Sequence, residues 1–191
     1  MIRRLMQEVA ARAEEARIRS ASEQRRMHGI DVWVMNDHLH ASTEAMFDKI
    51  AAALDRVAAV QPWRIGQMRR DFSRIFVRQN TGVRAQFDGE RNCVLDTFFV
   101  AKFAPAQVAS SIVHEGVHAR LRRGGRRVPA DLIAWEERLC RKAELGFGLR
   151  VPDGEAVVER ALNALALSDA DVAPLAGNIR LRATRRGPRT A

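Results

Sequence analysis

The sequence predicts an α+β fold: a small antiparallel or mixed sheet of about three to four strands packed against one long helix and the helix after it, with extra N- and C-terminal helices. Three observations predict this. In "TEAMFDKIAAALDRVAAV" the residues Met46, Ile50, Leu54 and Val57 recur at helical spacing. From Arg74 the period shortens, and "RIFVRQ", "VRAQF" and "NCVLDTFFVAKF" are β-branched or aromatic runs separated by "NTG" and "DGER". Proline and glycine then bound the run "PAQVASSIVHEGVHARLRRGG".

The elements follow in order. Residues 1–28 carry charges and alanines with a thin apolar stripe of Leu5, Val9, Ala13 and Ile18, which predicts a partly peripheral helix. "GIDVWVM" alternates like a strand, and Ser42 is placed to cap the helix that Pro62 ends. The three runs from Arg74 predict an antiparallel meander. Pro105 opens the next helix, Gly124 and Gly125 stop it, Pro129 opens another, and "GEAVVERALNALAL" forms the last.

With 191 residues, 47% hydrophobic and 29% charged, the chain has material for one core, so residues 1–179 are read as a single domain and 180–191 as a basic, disordered tail. No run is long and apolar enough for a membrane span and the N-terminus has no signal-peptide core, so a cytoplasmic protein is expected. Two cysteines, Cys93 and Cys140, are too few for a disulfide framework or a thiolate metal site. The net charge of +9 is mostly arginine and concentrated toward the ends, which permits a nucleic-acid partner. Without tyrosine, and with no aromatic residue among the terminal arginines to stack on bases, specific recognition of nucleic acid is not expected.

The informative stretch is "SSIVHEGVHARL", in which His114 and His118 stand one helical turn apart with Glu115 beside the first. At 100° per residue the two histidines fall about 40° apart, on a face shared with Gln107, Ser111 and Glu115. Val108, Ile112 and Val113 lie on the other side. Neutral imidazoles so placed can both reach one Zn²⁺ at ~2.0–2.1 Å, with the glutamate aimed at the water on the metal rather than at the metal. A chance match would leave the histidines structural; the bounded helix and the extended run before it weigh against that.

With that motif, residues 74–149 resemble the zincin metallopeptidases, in which a sheet's edge strand precedes the H-E-x-x-H helix and holds an extended substrate. The resemblance implies that "NCVLDTFFV" is that strand and that His114 and His118 ligate zinc. No histidine follows His118, which removes the metzincin and SprT-like patterns. A carboxylate on the next helix remains, as in gluzincins. Glu136, Glu137 and Glu144 follow His118 by 18, 19 and 26 residues.

The first helix runs about 8 Å past His118 at 1.5 Å per residue, so a helix returning from Pro129 regains that level near Glu136 or Glu137, and Glu144 overshoots. Glu136 sits among apolar residues, where a bare carboxylate is costly unless neutralised. Glu137 is closest to the gluzincin spacing and is favoured narrowly as third ligand, with Glu144 available to support a ligand histidine. The alternative for the other acid is a helix salt bridge, such as Glu137 with Arg141.

The expected function is zinc-dependent hydrolysis of a peptide or protein substrate, with Glu115 as general base on a zinc-activated water. Many gluzincins stabilise the oxyanion with a tyrosine or histidine. This chain has no tyrosine, so His38, His40 or an arginine would have to serve. Two other readings stay open: a non-catalytic zinc-stabilised adaptor or regulator, and a protease toxin exported without a signal.

Overall fold

The computed structural model describes residues 2–80, 82–88, 90–125 and 128–173. The tail expected at 180–191 lies outside them. The fold is α+β, with one mixed sheet of five strands among several helices.

Helix α1 spans Ile2–Ser20 and gives way to strand β1, Glu23–Met27. The expected helix over 1–28 is thus too long at its C-terminal end. Strand β2, Ile30–Val34, pairs antiparallel with β1 through a two-residue turn in which His28 and Gly29 both have positive φ, at 49° and 75°. That is the geometry a tight hairpin requires, and Gly29 adopts it without strain. β1 reads "EQRRM" with four exposed residues, so it lacks the alternation that marks a strand in sequence.

Helix α2, Thr43–Val60, is capped as expected: the Ala45 N–H donates to Ser42 Oγ at 3.2 Å. Its buried face carries Met46, Phe47, Ile50, Ala53, Leu54 and Val57. Burying side chains of this size contributes roughly 1.5–3 kcal/mol each. Pro62 ends α2 and also opens a helix absent from the sequence reading, α3, Pro62–Asp71. Its Ile65 and Met68 are buried in the core.

The meander is corrected. Strand β3, Arg74–Arg78, runs parallel to both β2 and β5, Asn92–Asp96, while β4, Ala85–Phe87, pairs antiparallel with β5 alone. The order is β1-β2-β3-β5-β4. β5 takes the inner position because Asn92 through Leu95 are all buried, whereas the short, partly exposed β4 suits an edge. The run "NCVLDTFFV" is half strand: the Phe99 N–H donates to Asp96 Oδ1 at 3.1 Å, and this cap starts helix α4, Thr97–Lys102.

Helix α5, Pro105–Leu121, packs against α2, α3 and helix α6, Ile133–Gly148. Pro129 opens only a 3-10 turn, Ala130–Leu132, ahead of α6. Helices α7, Glu155–Leu165, and α8, Asp169–Val172, close against α6. The main core lies between α2, α3, α5 and the sheet face bearing Val32, Ile75, Cys93 and Leu95. On the opposite face Trp33 lies under the guanidinium of Arg74, 3.9 Å from the ring centroid, and Arg74 pairs with Glu15 of α1 at 2.8 Å. No helix among the described residues is long and apolar enough to cross a membrane.

Candidate metal centre

The site is built where the second half of α5 meets α6 along Glu136 to Glu144. His114, Glu115 and His118 are all buried, although Val113, Ile112 and Ala119 around them belong to an apolar helix. Buried imidazole and carboxylate groups need partners, and α6 supplies them.

Each histidine is held through Nδ1 by its own glutamate. His114 Nδ1–H donates to Glu144 Oε1 at 2.7 Å, and His118 Nδ1–H donates to Glu136 Oε1 at 2.8 Å. Both acceptors are buried, at 1% and 0% exposure, so each needs cations of its own. Arg122 closes on Glu136 with two bonds of 2.9 and 3.0 Å. Arg141 and Arg160 reach Glu144 at 2.9 and 3.0 Å. With Nδ1–H committed in this way, each ring turns its Nε2 to the opposite side.

Those Nε2 atoms meet 3.1 Å apart, and Glu137 spans them: its Oε2 lies 3.3 Å from His114 Nε2 and its Oε1 3.3 Å from His118 Nε2. Adjacent helix positions point about 100° apart, which is how Glu136 takes the far nitrogen of His118 while Glu137 takes the near ones. Cys140, fully buried one turn further along α6, completes the cluster. His114, His118 and Cys140 offer ligand atoms within 4.8 Å of one another, a buried group that could hold a metal ion.

The electrostatics follow from so many acids in a buried space. Burial alone would lower both imidazoles, but bonds to Glu137 and Glu144 raise His114 to about 10. Cys140, Glu136 and Glu137 raise His118 to about 12 against the same burial. Burial acts to raise Glu137, yet the two histidines hold it far below the usual carboxylate range. The surrounding acids thus favour the protonated form of both rings. Glu115 behaves differently: burial pushes it up, and the attraction of His114 and His118 only partly opposes this.

A cleft opens over the cluster. One wall is β4, with Ala85, Gln86 and Phe87; the floor is His114, Glu115 and His118; the other wall is Ile133, Glu137 and Arg141 of α6. The edge strand beside the site is therefore β4, and the expected role of "NCVLDTFFV" is corrected, because β5 is paired on both sides. Among the described residues β4 pairs only with β5, which leaves its outer edge open to an extended chain.

Of the sequence candidates, His114, Glu115, His118, Glu136, Glu137 and Glu144 come together. His38 and His40 do not: they lie in the segment between β2 and α2, and His40 packs edge-on against Phe98. Glu137 forms no bridge to Arg141, which pairs with Glu144. Sequence reasoning missed the hold of Glu136 on His118, the clamps from Arg122 and Arg160, and the place of Cys140. The adjacent acids of "WEER" were a signal that two different partners needed satisfying. No protein-family model, curated protein or solved structure matches this chain.

Proposed function

We propose that the protein is a zinc-dependent metallopeptidase in which His114, His118 and Glu137 hold the ion and Glu115 is the general base. One observation carries the reading. Two donors bound to a tetrahedral zinc at ~2.0–2.1 Å stand about 3.3 Å apart; His114 Nε2 and His118 Nε2 are separated by 3.1 Å, and each has one oxygen of Glu137 at 3.3 Å, Oε2 for His114 and Oε1 for His118. Nδ1 bonds from both rings to carboxylates fit the same reading, since such bonds fix the tautomer that exposes Nε2. When bound, zinc would supply an activated water and polarise the substrate carbonyl.

The chain's own groups then have separate tasks. Glu115 accepts the proton of the attacking water and returns it to the leaving amine; its raised proton affinity suits that exchange. The open edge of β4 aligns the substrate backbone. His38 and His40 do not line the cleft, whereas Arg122 and Arg141 do.

Cys140 favours a second reading. Cys140 groups with the two histidines, and together with Glu137 it would close a tetrahedral site with no open position, the pattern of a structural metal. The deciding experiment measures metal content and cleavage of a mixed peptide pool for the wild type and Glu115→Gln. About one zinc per chain with cleavage lost only in the variant supports the hydrolase; bound zinc with no cleavage by either supports the structural site.

A further inference from the structure

One end of the cleft carries more cation than its own acids neutralise. There, beside His114 and Glu115, the lining includes Val83 and Arg84 at the foot of β4, Arg141 and Glu144 of α6, and Arg160 of α7. Glu144 is the only carboxylate of this group that the arginines touch, and it receives one nitrogen from each of two guanidiniums: Nη1 of Arg141 and Nη2 of Arg160. The Nε–H groups of both arginines are buried and without a hydrogen-bond partner among the described residues, so Glu144 and Ser110 do not saturate them. Glu144 also accepts from His114 Nδ1–H, so its charge is divided among three donors.

Arg84 adds a third guanidinium, to which no carboxylate among the described residues is bonded. It is held over the rings of Phe103, at 4.5 Å, and Phe99, at 5.7 Å from their centroids. Burial and the like charges of Arg160 and Arg141 both oppose its ionisation, while Glu144 favours it only through space. Three cations around a carboxylate that only Arg141 and Arg160 touch form an anion receptor, and guanidinium is the side chain suited to planar carboxylate. Because Arg84 immediately precedes β4, a peptide lying along that strand brings one end to the receptor.

We propose that this cleft selects peptides carrying a carboxylate, from an acidic side chain or a free C-terminus, received by Arg84 together with Arg141 and Arg160. The proposal rests on the reading of the cleft as a peptide site. Glu115 faces the cluster from α5, so the carboxylate must bind toward Arg84 and away from the reacting bond.

The test is binding of fluorescein-labelled peptides to full-length protein at fixed salt, read by anisotropy. Three eight-residue probes are used: a neutral Gln-Ala peptide amide, the same amide with one Glu, and the neutral peptide with a free C-terminal carboxylate. At least one carboxylate probe should bind about tenfold or more tightly than the neutral amide, as expected for a charge-assisted bond, and the comparison of the two identifies the source. Arg84→Gln should reduce that ratio below about threefold without changing zinc content. Arg26→Gln, which removes the same charge at an exposed site paired with Asp31, should leave the ratio intact and so exclude an effect of net charge.

Equal binding of all three probes overturns the proposal, as does a preference that survives Arg84→Gln. Cleavage of the same probes separates the two readings. Glu115-dependent cleavage without preference sinks the receptor and leaves the hydrolase standing, whereas Arg84-dependent binding without cleavage does the reverse.

Discussion

His114 and His118 present their Nε2 atoms to each other at 3.1 Å, with the rings tilted by 60°. Two imidazoles do not rest in that arrangement for their own sake. With both Nδ1–H bonds made, each Nε2 can meet the Glu137 carboxylate only by carrying a second proton, which sets two imidazolium rings 3.1 Å apart. A shared cation resolves the conflict, so either His114→Ala or His118→Ala is expected to lower bound zinc from about one per chain to near zero by elemental analysis. Full zinc in both variants would place the metal elsewhere.

Glu115→Gln keeps size and shape and removes the base. Zinc content and melting temperature should stay within error of wild type while kcat falls by at least ~10²-fold. An unchanged rate would remove Glu115 from the mechanism.

Cys140 separates the catalytic from the structural reading. It is fully buried against His118, and Cys140→Ser is isosteric enough to leave α6 in place. If Glu137 is the third ligand, the serine variant retains zinc, and the cobalt-substituted wild type shows no thiolate charge-transfer band. A band that disappears in the serine variant would make Cys140 a ligand and the centre a closed one.

Much of this site was legible because H-E-x-x-H and the return of a second helix are local, periodic facts about residues 105–148. What was not legible came from residues whose roles depend on tertiary neighbours. β1 is an exposed edge strand of arginines, and only its pairing with β2 reveals it. Phe98 and Phe99 look like strand residues, but the cap at Asp96 turns them into a helix. β4 is three residues long and became the cleft wall because the buried β5 occupied the inner position. Arg160 lies on a helix whose link to Glu144 no spacing rule could supply.

The turn that brings α7, and with it Arg160, onto α6 rests on a close backbone approach. A Cβ at Gly154 would lie 2.0 Å from the Gly148 carbonyl oxygen, a contact no side-chain rotation relieves. Gly154→Ala should therefore cost about 2 kcal/mol or more, and lower the melting temperature by roughly 4–8 °C. Gly66 of α3 is the control: a Cβ there meets only the Arg70 side chain, at 3.7 Å. Gly66→Ala should leave the protein unchanged or more stable by up to ~1 kcal/mol, through helix propensity. Equal melting temperatures for Gly154→Ala and wild type would mean that the α6–α7 turn is not packed as described.

Glu136 and Glu137 give the sharpest test, since they are neighbours with opposite tasks. Glu137→Gln replaces a carboxylate that faces both Nε2 atoms by a neutral amide that is a poor zinc ligand, so zinc affinity, measured by competition with a chelator, should fall by more than the ~10–100-fold typical of losing a partner behind a ligand. Glu136→Gln leaves the ligands in place but weakens the bond that orients His118 and strands Arg122 against an amide. Its zinc affinity should fall by only ~10–100-fold, the usual effect of losing a carboxylate behind a ligand histidine. Its melting temperature should fall as well, because a buried charge-assisted network has lost its anion. The ratio of the two affinities is the discriminating quantity: a larger loss in Glu136→Gln would exchange the roles of the two residues, and unchanged affinity in both would take the third ligand off α6 altogether.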